Sequence, residues 1–178
     1  NRGVSSFNEV LFSLMKKIFL KNSSQNLIIF VHSRRDTIRT GNFLAQKLCV
    51  LKNFKKNEDL KKRNYFIKKL QMIKSNEIKN LVRKGIGIHH AGLSKNDRNI
   101  IEDFFREGYL NIIISTATLA WGLNLPATHV IIKGTKVYSP EKSSWVEIPD
   151  FNVIQMLGRA GRILNSKFSE GIVLTTMN

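Results

Sequence analysis

Two arginines, Arg159 and Arg162, lie three positions apart in the string QMLGRAGR, which runs from residue 155 to 162 and has a glycine before each arginine. The spacing predicts two guanidinium groups on nearly one face of a helical turn. Each planar fork can bind phosphate oxygens through two hydrogen bonds, so the pair suits a polyphosphate. Gly158 and Gly161 lack side chains and therefore permit close approach to another surface. The alternative is a pair of surface arginines at a helix end, but the full string favours the phosphate interpretation.

A second string, STATLAWGLNLPA at residues 115–127, directly follows an apolar run. Hydroxyl groups and a glycine after a buried strand are short donors that suit phosphate oxygens. In the alternative interpretation, Ser115 and Thr116 only bond backbone groups at a strand-to-helix turn. This string alone favours neither interpretation.

Three histidines also follow apolar runs. The neighbours His89 and His90 have no cysteine or carboxylate partners at the spacing of a metal site, so metal ligation is not expected. We interpret His32 as a structural or hydrogen-bonding residue and not as an acid–base catalyst.

The strands that must position these residues are predicted from short apolar runs bounded by polar residues. Three of the runs are continuous and β-branched, which is typical of parallel strands buried on both faces. The predicted strands cover residues 27–31, 86–88, 110–115, 130–132 and 171–175, and a β-hairpin is predicted over residues 137–148 around the turn residues SPEK.

Helices are predicted between the strands from apolar residues at helical spacing. Ser94 and Asp97 form a capping-box pattern at the start of one helix, with Asp97 expected to bond back to Ser94. Asp150 is the expected cap of another helix that reaches Leu157. The remaining helices are predicted over residues 7–20, 36–51 and 77–84.

Alternating strands and helices indicate an α/β fold with an open, mostly parallel sheet flanked by helices. Ligands of such folds bind beyond the carboxyl ends of the strands. Polar segments at residues 32–33, 90–92 and 115–116 directly follow predicted strands. We therefore expect them to meet at one edge.

Composition indicates one packed domain over residues 1–178, because 42% of the residues are hydrophobic. No apolar run reaches the roughly 18 residues of a membrane span, so no membrane partner is expected. The single cysteine, Cys49, suits a reducing compartment. The chain begins at Asn1, and we expect it to be a piece of a longer protein.

The formal net charge is +16, and much of it lies in one segment. Residues 52–84 contain 10 lysines and 2 arginines against 3 acidic residues, a net charge of +9. We predict a lysine-rich helical insertion at residues 52–76. A solvated helix face is preferred there over an independent RNA-binding helix.

Four strings together resemble the superkiller-like DExH-box helicases of superfamily 2, in the order in which their motifs occur. LIIFVHSR at residues 27–34 is similar to motif IV, and IHHAGL at 88–93 to the adjoining RNA-contacting motif. Residues 115–127 are similar to motif V, and residues 155–162 to motif VI. The resemblance implies that the chain is the second RecA-like domain of an ATP-dependent RNA helicase.

Within that family, VIIKGTKVYSPEKSSW at residues 130–145 most resembles the first cassette of the large spliceosomal helicases that unwind paired small nuclear RNAs. The resemblance implies a nuclear protein with ribonucleoprotein partners and a hairpin that separates RNA strands. The candidate hairpin residues are Val137, Tyr138 and Trp145.

The resemblance also implies roles for individual residues. Gln155, Arg159 and Arg162 would be catalytic, with both arginines reaching the terminal phosphates of ATP and Gln155 orienting them or the attacking water. Gly122 and Asn124 would lie near the nucleotide. The expected RNA contacts are Ser33, Arg34, His90, Gly92, Thr116 and Thr118.

The phosphate-cradling pattern Gly-x-x-x-x-Gly-Lys-Ser/Thr does not occur in this sequence, and neither does an Asp-Glu-x-His run. Both features belong to the first RecA-like domain of such helicases, which would therefore hold most of the Mg²⁺ contacts. We expect this chain to be inactive as an ATPase alone.

Two other hypotheses about the function remain open. The parent could be a related helicase that acts in transcription coactivation, DNA repair, ribosome rescue or RNA decay. It could also be a non-catalytic RNA-binding scaffold derived from a helicase, although a scaffold has no need of the intact arginine string at 155–162.

Overall fold

A computed structural model describes residues 2–22, 24–48, 60–117, 119–120, 125, 127–160 and 169–175. Cys49 and residues 52–59 of the lysine-rich stretch lie outside the described residues. Five strands form a fully parallel sheet in the order β2-β3-β1-β4-β7. They are β1 (Leu27–Phe30), β2 (Ile86–His89), β3 (Ile112–Ser115), β4 (His129–Lys133) and β7 (Glu170–Leu174).

A separate antiparallel hairpin is formed by β5 (Lys136–Ser139) and β6 (Ser144–Glu147). The predicted parallel α/β sheet and the hairpin insertion are thus both confirmed. The helices are α1 (Arg2–Lys21), α2 (Arg34–Leu48), α3 (Leu60–Gln71), α4 (Asn76–Arg83), α5 (Lys95–Arg106) and α6 (Asp150–Leu157).

Alternate residues of the central strands supply two separate cores, because successive side chains point to opposite faces of a sheet. Ile28 and Phe30 of β1 belong to the core that α3, α5 and α6 cover. Leu27 and Ile29 belong to the core that α1 and α2 cover. All four side chains are fully buried, which is why this strand has no polar residue until it ends.

Part of the lysine-rich stretch packs against the domain as helix α3. The Phe66 ring stacks on Tyr109 and lies 4.8 Å from the Phe104 ring, centroid to centroid. Lys69 forms an ion pair with Asp103 on α5 at 3.1 Å. Lysines and an arginine on the other side of α3 are exposed, as a solvated face requires. The assignment of residues 52–76 as an insertion stays a prediction.

Several predicted helix ends differ from the structure. Helix α2 begins at Arg34, two residues earlier than expected, because the Ser33 side chain caps it. Pro149 and not Asp150 is the N-cap of α6, and it makes no side-chain hydrogen bond there. The capping box of α5 is half formed.

In that box, Ser94 Oγ accepts the Asp97 N–H at 3.0 Å, as predicted. The reciprocal bond from Asp97 does not form. The Asp97 side chain is instead buried, and its Oδ1 has no hydrogen-bond partner among the residues that the structure describes. None of the helices in the described part of the chain combines the length and apolar character that crossing a bilayer requires.

Gly87 allows β2 to pack closely under α5. A Cβ at this position would lie 2.8 Å from Ile101 Cγ2 and 2.9 Å from Leu110 Cδ1. We predict that Gly87→Ala lowers the free energy of unfolding by about 1–3 kcal/mol, the usual effect of overpacking a core.

Gly171→Ala is a matched control in β7, because the one short contact of its Cβ, at 2.8 Å, would be with Cδ2 at the flexible end of the Leu157 side chain. Urea unfolding of both variants tests the prediction. Equal losses of stability would show that the packing under α5 is not the cause.

Candidate functional site

Main-chain hydrogen bonds hold three polar loops together at the carboxyl edge of the sheet. The Val31 N–H, just after β1, donates to Ser115 O at 2.9 Å. The Thr116 N–H, just after β3, donates to His89 O at 3.2 Å. The loops that follow β1, β2 and β3 therefore meet, as the sequence predicted.

Ser33 and Arg34 occupy the junction between β1 and α2. Ser33 Oγ accepts the Asp36 N–H at 3.0 Å, which fixes the first turn of the helix and leaves the serine exposed. The Arg34 side chain extends to the next loop. Its Nη1 lies 2.9 Å from the point that a Cβ of Gly92 would occupy. The absence of a side chain at Gly92 thus makes room for the guanidinium group.

His90 lies in the loop after β2, half buried beside Arg34. Its Nδ1 accepts the Gly92 N–H at 3.1 Å. Burial lowers the pKa of His90, and the positive charges of Arg34 and Arg98 lower this pKa further. A neutral ring that accepts at Nδ1 carries its proton on Nε2, which is then a donor suited to a phosphate oxygen. Arg98 was not among the predicted site residues.

His89, in contrast, is a core residue. Its Nε2 lies 2.9 Å from Glu102 Oε1 on α5, and both side chains are buried. Among the residues that the structure describes, no three His, Cys, Asp or Glu side chains come together as a metal site would require. The His89–Glu102 pair was not predicted from the sequence, and its two residues lie 13 positions apart.

The segment after β3 divides its hydroxyl groups between two roles. Ser115 is fully buried, and its Oγ donates to Thr116 O at 2.8 Å, so the hydroxyl group of this serine bonds the main chain. Thr116 is half buried at the sheet edge. Thr118, Gly122 and Asn124 lie outside the described residues.

The arginine string begins at the end of α6. Gln155 is half buried on this helix, and Gly158 forms its C-cap. Arg159 comes after the helix, in a turn, and its Nη2 donates to Ala120 O. The string thereby contacts the segment that follows β3. Since Arg159 lies in this turn, it is not on a helical face as predicted. Arg162 lies outside the described residues, so its pairing with Arg159 stays a prediction.

The hairpin presents an aromatic pair to solvent. Tyr138 and Trp145 are directly opposite one another, with ring centroids 5.9 Å apart in an edge-to-face arrangement. Their residue exposures are 53% and 68%. Val137, which was grouped with them, is partly buried and packs against the core instead. It therefore supports the hairpin, whereas the two aromatic side chains are exposed.

A buried lysine lies next to this edge and was not predicted as a site residue. Lys133 ends β4, and its Nζ contacts both carboxylate oxygens of Asp36 at 3.1 and 3.3 Å. It also donates to Thr40 Oγ1 at 2.8 Å. His32 Nε2 is hydrogen-bonded to Gly134 O, which confirms that His32 has a hydrogen-bonding role.

Burial lowers the pKa of His89, although the hydrogen bond and charge of Glu102 oppose that effect. In the unfolded chain this histidine gains a proton below pH of about 6.5, whereas the folded protein keeps it neutral to a lower pH. The free energy of unfolding should therefore fall with decreasing pH in that window. The slope from one such group is at most about 1.4 kcal/mol per pH unit.

Urea unfolding at several pH values between 7.5 and 5 tests this prediction. His89→Gln keeps a donor for Glu102 but does not titrate, so the variant should lose part of the pH dependence. An unchanged slope in the variant would contradict the assignment.

Residues 9–164 match the family described as Helicase conserved C-terminal domain. The chain is 43% identical over 163 residues to the Arabidopsis thaliana DExH-box ATP-dependent RNA helicase DExH12, which covers 90% of the chain. It is 39% identical over 172 residues, or 95% of the chain, to the human U5 small nuclear ribonucleoprotein 200 kDa helicase.

A third relative is the Dictyostelium discoideum activating signal cointegrator 1 complex subunit 3-like protein. It is 40% identical over 183 residues and covers 100% of the chain. The chain spans only 8% of the length of each of these three relatives.

Proposed function

Because this chain belongs to the helicase conserved C-terminal domain family, as the second RecA-like domain of a DExH-box helicase of superfamily 2, we propose that it is one half of an ATP-driven RNA motor. The observation that carries the proposal is the meeting of three polar loops at the carboxyl edge of the sheet, where Arg34 packs against Gly92. In folds of this class, that edge is where ligands bind.

The loops at this edge would hold one RNA strand by its backbone. Arg34 supplies charge, Ser33 and Thr116 supply hydroxyl groups, and Gly92 admits close approach. Contacts of this kind carry little sequence information and weaken with salt. The proposed RNA contacts are those predicted from the sequence: Ser33, Arg34, His90, Gly92, Thr116 and Thr118.

The arginine string would face the nucleotide across the cleft between two RecA-like domains. The Arg159 guanidinium group lies beside the segment after β3 and has the donor geometry that phosphates require. Gln155 and Arg162 would act with it, and Gly122 and Asn124 would lie near the bound ATP. Mg²⁺ would be held chiefly by the first RecA-like domain of the same protein.

The hairpin would separate the RNA strands. Tyr138 and Trp145 are exposed aromatic side chains, and such side chains stack on unpaired bases with little sequence preference. Their rings project from the hairpin while Val137 anchors it.

We place the parent protein in pre-mRNA splicing, with small nuclear RNA duplexes as substrate, the nucleus as location and ribonucleoprotein partners. The support is the similarity to the U5 small nuclear ribonucleoprotein helicase over 95% of the chain. A role in transcription coactivation is the second candidate, since the relative named for the activating signal cointegrator complex is 40% identical. Crosslinking of the parent protein to RNA in cells would distinguish small nuclear RNAs from other targets.

Arg162→Ala in the complete helicase should reduce RNA-stimulated ATP turnover by roughly 10³–10⁵, the usual contribution of an arginine finger. RNA affinity should stay near the wild-type value, because the proposed RNA contacts lie on other loops. Steady-state ATPase assays and RNA binding by fluorescence anisotropy measure the two effects.

Arg83→Ala is a suitable control, since Arg83 is exposed on α4 and bonds the neighbouring Asn80 side chain at 2.8 Å. It should leave turnover unchanged. Turnover near wild type in Arg162→Ala would disprove the arginine-finger assignment.

The isolated chain should show no RNA-stimulated ATP hydrolysis, because the phosphate loop and the magnesium-binding carboxylates are expected in the first domain. The measurement is phosphate release by the purified chain with and without RNA, beside the complete helicase. Appreciable stimulated activity from the chain alone would contradict the proposed division of the site.

A further inference from the structure

Lys133 is a charged residue that directly follows three apolar and buried residues of strand β4. Its exposure is 5%, and Val130, Ile131 and Ile132 before it are fully buried. Removing an ammonium group from water is costly unless an opposite charge and hydrogen bonds replace the lost solvation. The desolvation is strong enough to lower the pKa of Lys133 despite the opposing charge of Asp36.

The partners of Lys133 lie on α2. They are next to Ser33 and Arg34 at the junction of β1 and α2, which we name the Ser33–Arg34 loop. Asp36 receives two contacts from Lys133 Nζ, at 3.1 and 3.3 Å. The Asp36 N–H in turn donates to Ser33 Oγ at 3.0 Å. Asp36 thus bonds both Lys133, at the end of β4, and Ser33, in the proposed RNA-contacting loop.

A second bond joins the same two places. His32, immediately before Ser33, is hydrogen-bonded through Nε2 to Gly134 O, immediately after Lys133. Gly134 has a φ of +86° and its N–H donates to Leu174 O at 2.9 Å, which fixes the chain as it leaves the sheet.

The hairpin starts directly beyond this point. The Ile148 N–H donates to Thr135 O at 2.7 Å and closes the base of the hairpin. Two residues, Gly134 and Thr135, separate Lys133 from the first hairpin strand. The aromatic pair is therefore joined to the RNA-contacting loop by a short path that hydrogen bonds hold at Gly134 and Thr135.

We propose that Lys133 and His32 are positioning residues that, with Asp36, clamp the strand-separating hairpin to the Ser33–Arg34 loop. Displacement of an RNA strand held by that loop is then transmitted to the hairpin, which parts the duplex. The clamp rests on the proposed function, because it assigns a role in unwinding to bonds that neither hold ATP nor contact RNA.

Stability alone does not account for this ion pair. Replacing a buried ion pair by apolar residues of similar volume is often neutral or stabilising. An ion pair with defined hydrogen-bond geometry selects one arrangement of the two elements that it joins, and an apolar contact tolerates sliding. A fixed geometry is what a mechanical connection between loop and hairpin requires.

The test compares Lys133→Met, His32→Phe and the double variant in the complete helicase. Methionine matches the length of lysine, and Asp36 is 26% exposed at its side chain, so water can solvate the carboxylate that is left. Lys47→Met is the matched control. Lys47 lies near the other end of α2 and pairs with Glu9 at 3.2 Å on the surface.

We expect Lys133→Met to lower the unwinding rate of an RNA duplex roughly tenfold, the effect of about 1.4 kcal/mol. The kcat of single-stranded-RNA-stimulated ATP hydrolysis and its apparent KM for RNA should change by less than about twofold. His32→Phe should act in the same direction, and the double variant should unwind more slowly than either. Lys47→Met should match the wild type in both assays.

Hydrogen exchange gives a readout that does not depend on activity. Loss of the clamp should increase exchange in the hairpin and in the first turn of α2 together, with α1 unchanged. Protection in both segments equal to wild type would overturn the clamp, as would a parallel loss of ATPase and unwinding in Lys133→Met. A wild-type helicase that neither hydrolyses ATP nor unwinds RNA would instead overturn the proposed function, while exchange still decides whether the clamp exists.

Discussion

Strand β1 is paired on both sides, with β3 through Phe30 opposite Ser115 and with β4 through Phe30 opposite Ile132. The loops that follow β1, β3 and β4 take their positions from this central pairing. Because the strands are parallel, their carboxyl ends lie side by side, and the polar residues that follow them cannot be separated. A shift of one residue in the pairing would exchange the two buried faces of the strand, so the register is strongly determined.

Strand β1 contributes side chains to both cores and therefore packs against both layers of helices. Phe30 and Ile29 are adjacent in the chain and fully buried, yet they pack in different cores. Packing density of this kind leaves little freedom for the strands to move relative to one another.

The sheet and the hairpin could be predicted because each strand and turn is indicated by residues that are close together in the sequence. Continuous apolar runs indicated the parallel strands, and a cluster of turn residues indicated the hairpin. The Lys133–Asp36 pair joins residues 97 positions apart, and such pairing depends on strand order, which the sequence pattern does not show. Asp150 was expected to cap α6, but Pro149 precedes it with extended backbone angles and takes the cap position. The roles of all the site residues remain predictions from the resemblance, and Thr118, Gly122, Asn124 and Arg162 also lie outside the described residues.

The bonds that unite the three loops are made by the main chain, from the Val31 N–H and the Thr116 N–H. Every amino acid except proline can supply such a donor. Side chains at this edge can consequently be replaced while the bonds that set the spacing of the loops stay in place. The scaffold is thus separate from the side chains that would contact a ligand.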